Sequence, residues 1–236
     1  MQKNVGARGT FVHYVLYFLF LTTAAAAFLS MIVPLFVFER EGLKVKGLWP
    51  LLGCFASLGM GFMFLELGFI QRLNIYLGHP MYSLAVVLAG LLLFTGIGSY
   101  RAGKLRYEIK KLLRKGMIGA AVFSLAWLAV MSIIIPLTLG WPLWVRIFIT
   151  LLSILPVGLC LGIPFATGLR YLDERYPRFI PWAWGINGIT SVMASILAIL
   201  LAMRIGFKTV ILLGCVIYIL GLLTMLRHLR SRWKVN

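Results

Sequence analysis

Long apolar runs alternate with short polar breaks along this chain. The runs cover about 11–38, 48–70, 81–100, 116–139, 143–169, 180–203 and 208–226. Each holds enough residues to cross a hydrocarbon core of about 30 Å at about 1.5 Å per residue. None alternates apolar and polar positions with a period of two, and all are too long for barrel strands, so helices are predicted throughout. The reading is an all-α polytopic transmembrane bundle of about seven helices. It has a tail over 1–10, a helical domain over 11–226 and a basic tail over 227–236.

The breaks carry turn or charge signals. A charged loop is expected over 39–47, and a turn at Gly78, His79 and Pro80. A strongly basic loop is expected over 101–115, with spacing for a short surface helix. Gly140, Trp141 and Pro142 form an uncharged turn, 171–181 a polar loop with two prolines, and 204–208 a very short link. Lys3 and Arg8 precede the first run and Ala24 to Ala27 lie in its middle, which are the ingredients of a cleaved signal peptide. Apolar character continues through Phe38, so an uncleaved spanning helix is the reading adopted.

Composition agrees. The 236 residues are 61% hydrophobic and 12% charged, against about a quarter charged in soluble domains. The net charge of +17 would point to nucleic acid in a soluble protein. Here the basic residues sit in short loops and leave no exposed basic face of useful size, so nucleic acid is not expected as a partner. Of the 23 Lys and Arg, six (Lys3, Arg8, Arg72, Arg146, Arg204 and Lys208) fall on one side of a seven-crossing chain, and the other 17 on the opposite side. The positive-inside rule then places the C-terminus in the cytoplasm of a multi-pass protein of the cell inner membrane, with anionic lipid attracted to the basic loops.

Candidate chemistry is sparse. Cys54, Cys160 and Cys215 lie in separate apolar runs with no CxxC pair, and His13, His79 and His228 are isolated. Neither a metal site nor a disulfide framework is expected. Gly96 and Gly98 follow no strand and open no phosphate-binding helix, and no other cofactor or catalytic motif occurs, so no cofactor and no catalytic residue is assigned.

Glu66 is the costly position. A carboxylate in a membrane helix needs an interface, a partner or a proton. It either faces a cavity and binds a cation or proton, or sits near the headgroups and pairs with Arg72 or the backbone. Asn187, Ser191 and Ser195 recur every fourth residue, with Ala198 and Ala202 continuing the stripe. Such a stripe either bonds a neighbouring helix or lines a wet cavity. Glu66, Asn187, Ser191 and Ser195 are therefore the candidate intramembrane polar site. Ser57, Gly61 and Gly68 share one helix face, and Gly158 and Gly162 form a second close-approach pair between Pro156 and Pro164. Those two prolines invite kinks.

Four stretches carry a resemblance. They are Gly59-Met60-Gly61-Phe62-Met63-Phe64-Leu65-Glu66, Leu77-Gly78-His79-Pro80-Met81-Tyr82-Ser83, Gly162-Ile163-Pro164-Phe165-Ala166-Thr167-Gly168-Leu169-Arg170, and Pro181-Trp182-Ala183-Trp184-Gly185-Ile186-Asn187-Gly188. In order and spacing they resemble the membrane domain of bacterial multi-pass spermidine-synthase-like proteins. Membrane regions of that family are compared with the major facilitator superfamily, so the resemblance implies a bundle related to half of a facilitator fold. The soluble aminopropyltransferase-like domain of that family has no counterpart here, and its catalytic residues are not carried over. The resemblance implies a non-catalytic membrane module, either a stand-alone homologue or a partner subunit beside a separate enzyme; a protein partner or a homo-oligomer is expected on either reading. The alternative is a transporter or half-transporter for a small solute, such as an organic cation of the polyamine type, with Glu66 as counter-charge.

Overall fold

The computed structural model describes residues 3–40, 42, 49–104 and 108–233. Every element within them is helical. α1 (Lys3–Ala27), a π-helical turn (Phe28–Ile32) and α2 (Val33–Phe38) form one rod. The wide turn lies just before Pro34, which has no N–H to offer the regular ladder, and the Val33 N–H reaches back to the Phe28 carbonyl. Then come α3 (Trp49–Leu77), α4 (Pro80–Lys104), α5 (Ile109–Thr138), α6 (Leu143–Arg175), a 3-10 turn (Pro177–Phe179) and α7 (Ile180–Trp233).

Six helical stretches among the described residues are long and apolar enough to cross a membrane. The last one contains two crossings. As a straight helix, the 54 residues of α7 would measure about 81 Å, more than twice a hydrocarbon core. Gly206 breaks it at φ 80° and ψ 157°. The residues before and after Gly206 form two antiparallel arms, as their contacts with α3 show. Phe55 and Gly59 meet Asn187 and Ser191, and Phe64 packs with Ala194, Ala198 and Ala202, so α3 and the first arm run the same way. Gly53, Ser57, Gly61 and Gly68 meet Thr224, Gly221, Tyr218 and Ile211 in turn, so the second arm runs against α3.

The other pairings follow the same alternation. α4 and α6 are parallel, with Gly90 against Ile154, Phe94 against Gly158 and Thr95 against Gly162. α5 opposes α6, with Gly116 against Pro164, Gly119 against Cys160, and Trp127 Nε1 donating to Ser153 Oγ at 3.0 Å. One end of the bundle therefore collects Phe38, Trp49, Lys104, Ile109, Arg175 and Ile180. The other collects Leu77, Pro80, Thr138, Leu143 and Gly206. α3 sits at the centre, against α4, α6 and both arms of α7. The α1–α2 rod packs on the first arm, where Met31 meets Gly188 and Leu35 meets Gly185. Trp182 Nε1 closes that edge by donating to the Glu39 carbonyl at 2.8 Å.

Several expected boundaries are corrected. The stretch 101–115 is not a loop with a surface helix. Arg101 and Lys104 end α4, and Ile109 to Lys115 begin α5; residues 105–107 lie outside the described residues. The helical hydrogen-bond ladder has no reason to stop where apolar residues stop, because Lys and Arg stems can lie along a helix and reach water. For the same reason α3 continues to Leu77, α6 to Arg175 and α7 to Trp233, and α1 begins at Lys3 inside the expected tail. The loop over 171–181 shrinks to Tyr176 and one 3-10 turn, and the link over 204–208 shrinks to Gly206. Pro156 and Pro164 both lie inside an unbroken α6. Most of the loop over 39–47 lies outside the described residues.

Candidate functional site

The small-residue faces predicted from sequence place the backbones. Ser57, Gly61 and Gly68 all face the second arm of α7: Ser57 lies against Gly221, Gly61 under the Tyr218 ring and Gly68 under Ile211. Gly158 and Gly162 bring α6 against α4. A methyl group on Gly158 would stand 2.6 Å from Phe94 Cβ, and one on Gly162 would collide with the Thr95 carbonyl oxygen. Gly59, which the small-residue pattern did not single out, plays the same part toward the first arm, under the Asn187 carbonyl.

These close approaches leave a gap. α4 packs on α6, the first arm packs on α3, and between the two pairs lies a cavity of about 310 Å³. Leu58, Gly59 and Phe62 line it from α3, and Leu92, Thr95, Gly96 and Ser99 from α4. Leu161, Gly162 and Phe165 belong to α6, Asn187 and Ser191 to the first arm, and Tyr218 to the second. Leu92 and Gly96 are exposed, so the cavity opens on the flank of the bundle. Gly59 and Gly96 lie about 15 and about 12 Å along their helices from the basic end, which is inside the hydrocarbon layer.

Asn187 and Ser191 meet here, as the stripe allows. Asn187 Nδ2 donates to the Phe55 carbonyl at 3.1 Å, so the side chain both bonds a neighbouring helix and lines the cavity. Ser191 Oγ donates to the Asn187 carbonyl at 2.8 Å. Ser195, one turn on, donates to the Val192 carbonyl at 2.7 Å and does not line the cavity. Four residues advance a helix by more than one turn, and the stripe therefore drifts off the cavity face.

Glu66 is placed elsewhere too. It lies one turn beyond Phe62 on α3, 6% exposed, outside the cavity lining. The pairing with Arg72, one of the readings left open for this position, is not formed. Arg72 Nη2 donates instead to Ser132 Oγ at 2.7 Å, and Glu66 has no hydrogen bond or ion pair among the described residues. Six positions along a helix turn Arg72 well away from the Glu66 side, toward α5.

Tyr218, Ser99, Thr95, Phe62 and Phe165 were not singled out by sequence reasoning as site residues. Tyr218 carried a usable signal, as a lone phenol in the middle of the last apolar run. A second polar group closes the opposite end of the bundle. There Arg146 Nη1 donates to the Tyr76 carbonyl at 2.6 Å, and the Tyr76 and Thr138 hydroxyls lie 2.8 Å apart. Among the described residues no group of three or more His, Cys, Asp and Glu is placed to hold a metal ion. Cys54 and Cys215 are buried and Cys160 half-buried, all as free thiols.

Six apolar helical stretches, each long enough to cross a bilayer, fit a multi-pass integral membrane protein. Comparison with known proteins goes no further: no family model, no curated protein and no solved structure matches the chain.

Proposed function

We propose that the chain is a non-catalytic membrane module, a partner subunit that holds a separate enzyme or complex at the cytoplasmic face of the cell inner membrane. One observation carries the reading. Contrary to the sequence expectation of no basic face of useful size, helix ends at one end of the bundle present Arg101, Lys104, Lys110, Lys111, Arg114, Lys115, Arg175, Arg178 and Arg227, all exposed. By the positive-inside rule this is the cytoplasmic end. Charges fixed on helices form a platform for an acidic partner surface, because opposite potentials steer and orient docking.

The resemblance of four stretches to the membrane part of spermidine-synthase-like proteins supports the same reading, since there the membrane region accompanies a soluble enzyme. On α5 a groove joins Lys111, Arg114 and Lys115 to Ile118, Val122 and Phe123. Cations above an apolar wall suit the headgroup and upper chain of an anionic lipid. The cation-carrier alternative has less support, because Glu66 does not line the cavity.

Purification in mild detergent followed by mass spectrometry is the test. A partner is expected in stoichiometric amount, and it should be lost when Lys110, Lys111, Arg114 and Lys115 are all changed to Gln. Recovery of the chain alone from native membranes would remove the partner role.

A further inference from the structure

Among the described residues, the flank cavity has polar groups without hydrogen-bond partners and no charged side chain in its wall. Tyr218 is 1% exposed, and its hydroxyl has no hydrogen-bond partner among the described residues. Ser99, half-buried, likewise has no hydrogen-bond partner for its Oγ among the described residues. Asn187 commits its amide nitrogen to the Phe55 carbonyl (3.1 Å), which leaves its Oδ1 without a donor among the described residues. These groups face the cavity with hydrogen-bonding capacity to spare, and a ligand that enters from the apolar flank can satisfy it. We propose that the cavity binds the head of a neutral, lipid-soluble amphiphile that carries both a hydroxyl donor and an oxygen acceptor.

Each part of that description follows from the lining. Asn187 Oδ1 can only accept, so the ligand must bring a donor. The Tyr218 and Ser99 hydroxyls can donate, so the ligand must also bring an acceptor. Among the described residues no Asp, Glu, Lys or Arg stands in the wall, and an ionic head would be stranded without a counter-charge in a medium where that is expensive. A volume of about 310 Å³ is at the small end for ligand sites, enough for a head group and not for a whole lipid. The rest of the molecule lies outside, past Gly96, where the cavity opens on the flank of the bundle. Phe62 and Phe165 supply the apolar wall for the first carbons of the chain. This inference does not depend on the partner role.

The test uses the full chain in phosphatidylcholine nanodiscs and 1-monolauroylglycerol with a diazirine in its acyl chain as photoprobe. Saturable labelling of α4 and α7 peptides is expected. Unlabelled 1-monolauroylglycerol should compete. Methyl laurate, which has no donor, and dodecyltrimethylammonium, which is a cation, should not. A Cβ on Gly96 meets open space, so Gly96→Trp can fill the mouth without disturbing the fold and should abolish labelling, while Gly96→Ala keeps it. Tyr218→Phe should weaken binding about three- to tenfold, the loss of one hydrogen bond. Labelling that never saturates, labelling unchanged by Gly96→Trp, or equal competition by the cation overturns the proposal. Absence of labelling does so as well and leaves the cavity to ordered water.

Discussion

Replacing Gly206 with alanine is expected to destabilise the protein by about 1–3 kcal/mol, the range for forcing a side chain into a backbone region that only glycine tolerates. Gly206 sits at φ 80° and ψ 157°, between two helical arms that run in opposite directions along α3. No neighbouring atom lies within 4 Å of the position a Cβ would take, so the penalty is purely one of backbone conformation. Gly140 gives the control: it too has open space around it and its φ is not positive, so Gly140→Ala should be neutral. Equilibrium unfolding in mixed micelles measures both. An equal response from the two variants would mean that the chain does not reverse at Gly206.

The second large effect comes from the α4–α6 contact. Gly162→Ala puts a methyl group against the Thr95 carbonyl oxygen and 2.8 Å from the Ser99 nitrogen. Both are backbone atoms on a helix, which cannot swing aside as a side chain can. The helices must separate and lose the adjoining contact of Gly158 with Phe94. Overpacking costs about 1–3 kcal/mol where some give exists, and the upper part of that range is expected here. Gly162→Leu should prevent accumulation in the membrane altogether. Gly96→Ala, on the facing helix, should leave stability unchanged. The same unfolding assay decides, and a harmless Gly162→Ala would contradict the described approach of α4 to α6.

Those glycines show where sequence reading succeeds and where it stops. A small residue at helical spacing marks a packed face, and Ser57, Gly61 and Gly68 do face one partner, the second arm of α7. Gly96 and Gly98 are alike in sequence, yet Gly98 lies under the Leu159 carbonyl and Gly96 faces open space. Two residues along a helix rotate a position by about 200°, and only the neighbouring helix distinguishes the two. The apolar runs were legible because bilayer thickness fixes their length. Their ends were not, since basic side chains such as those of Arg101 and Lys115 extend a helix into water without breaking it. Of the polar site, Asn187 and Ser191 were legible from their spacing. Ser195 drifts off the face, and Glu66 lies one turn of α3 beyond the cavity, whose extent along α3 the sequence does not encode. Tyr218 joins the site from the far arm, a long-range approach that no local pattern encodes.

The back-and-forth path of the chain through lipid underlies every functional statement above. It is tested most directly by single cysteines on a chain whose Cys54, Cys160 and Cys215 have been replaced, labelled with a membrane-impermeant maleimide on sealed vesicles of either orientation. Cysteines at Gly140 and Lys208 should react from one face, and cysteines at Lys104 and Arg175 from the other. Reaction of positions 175 and 208 from the same face would show that the first arm of α7 does not cross, and the seven-crossing bundle would be wrong.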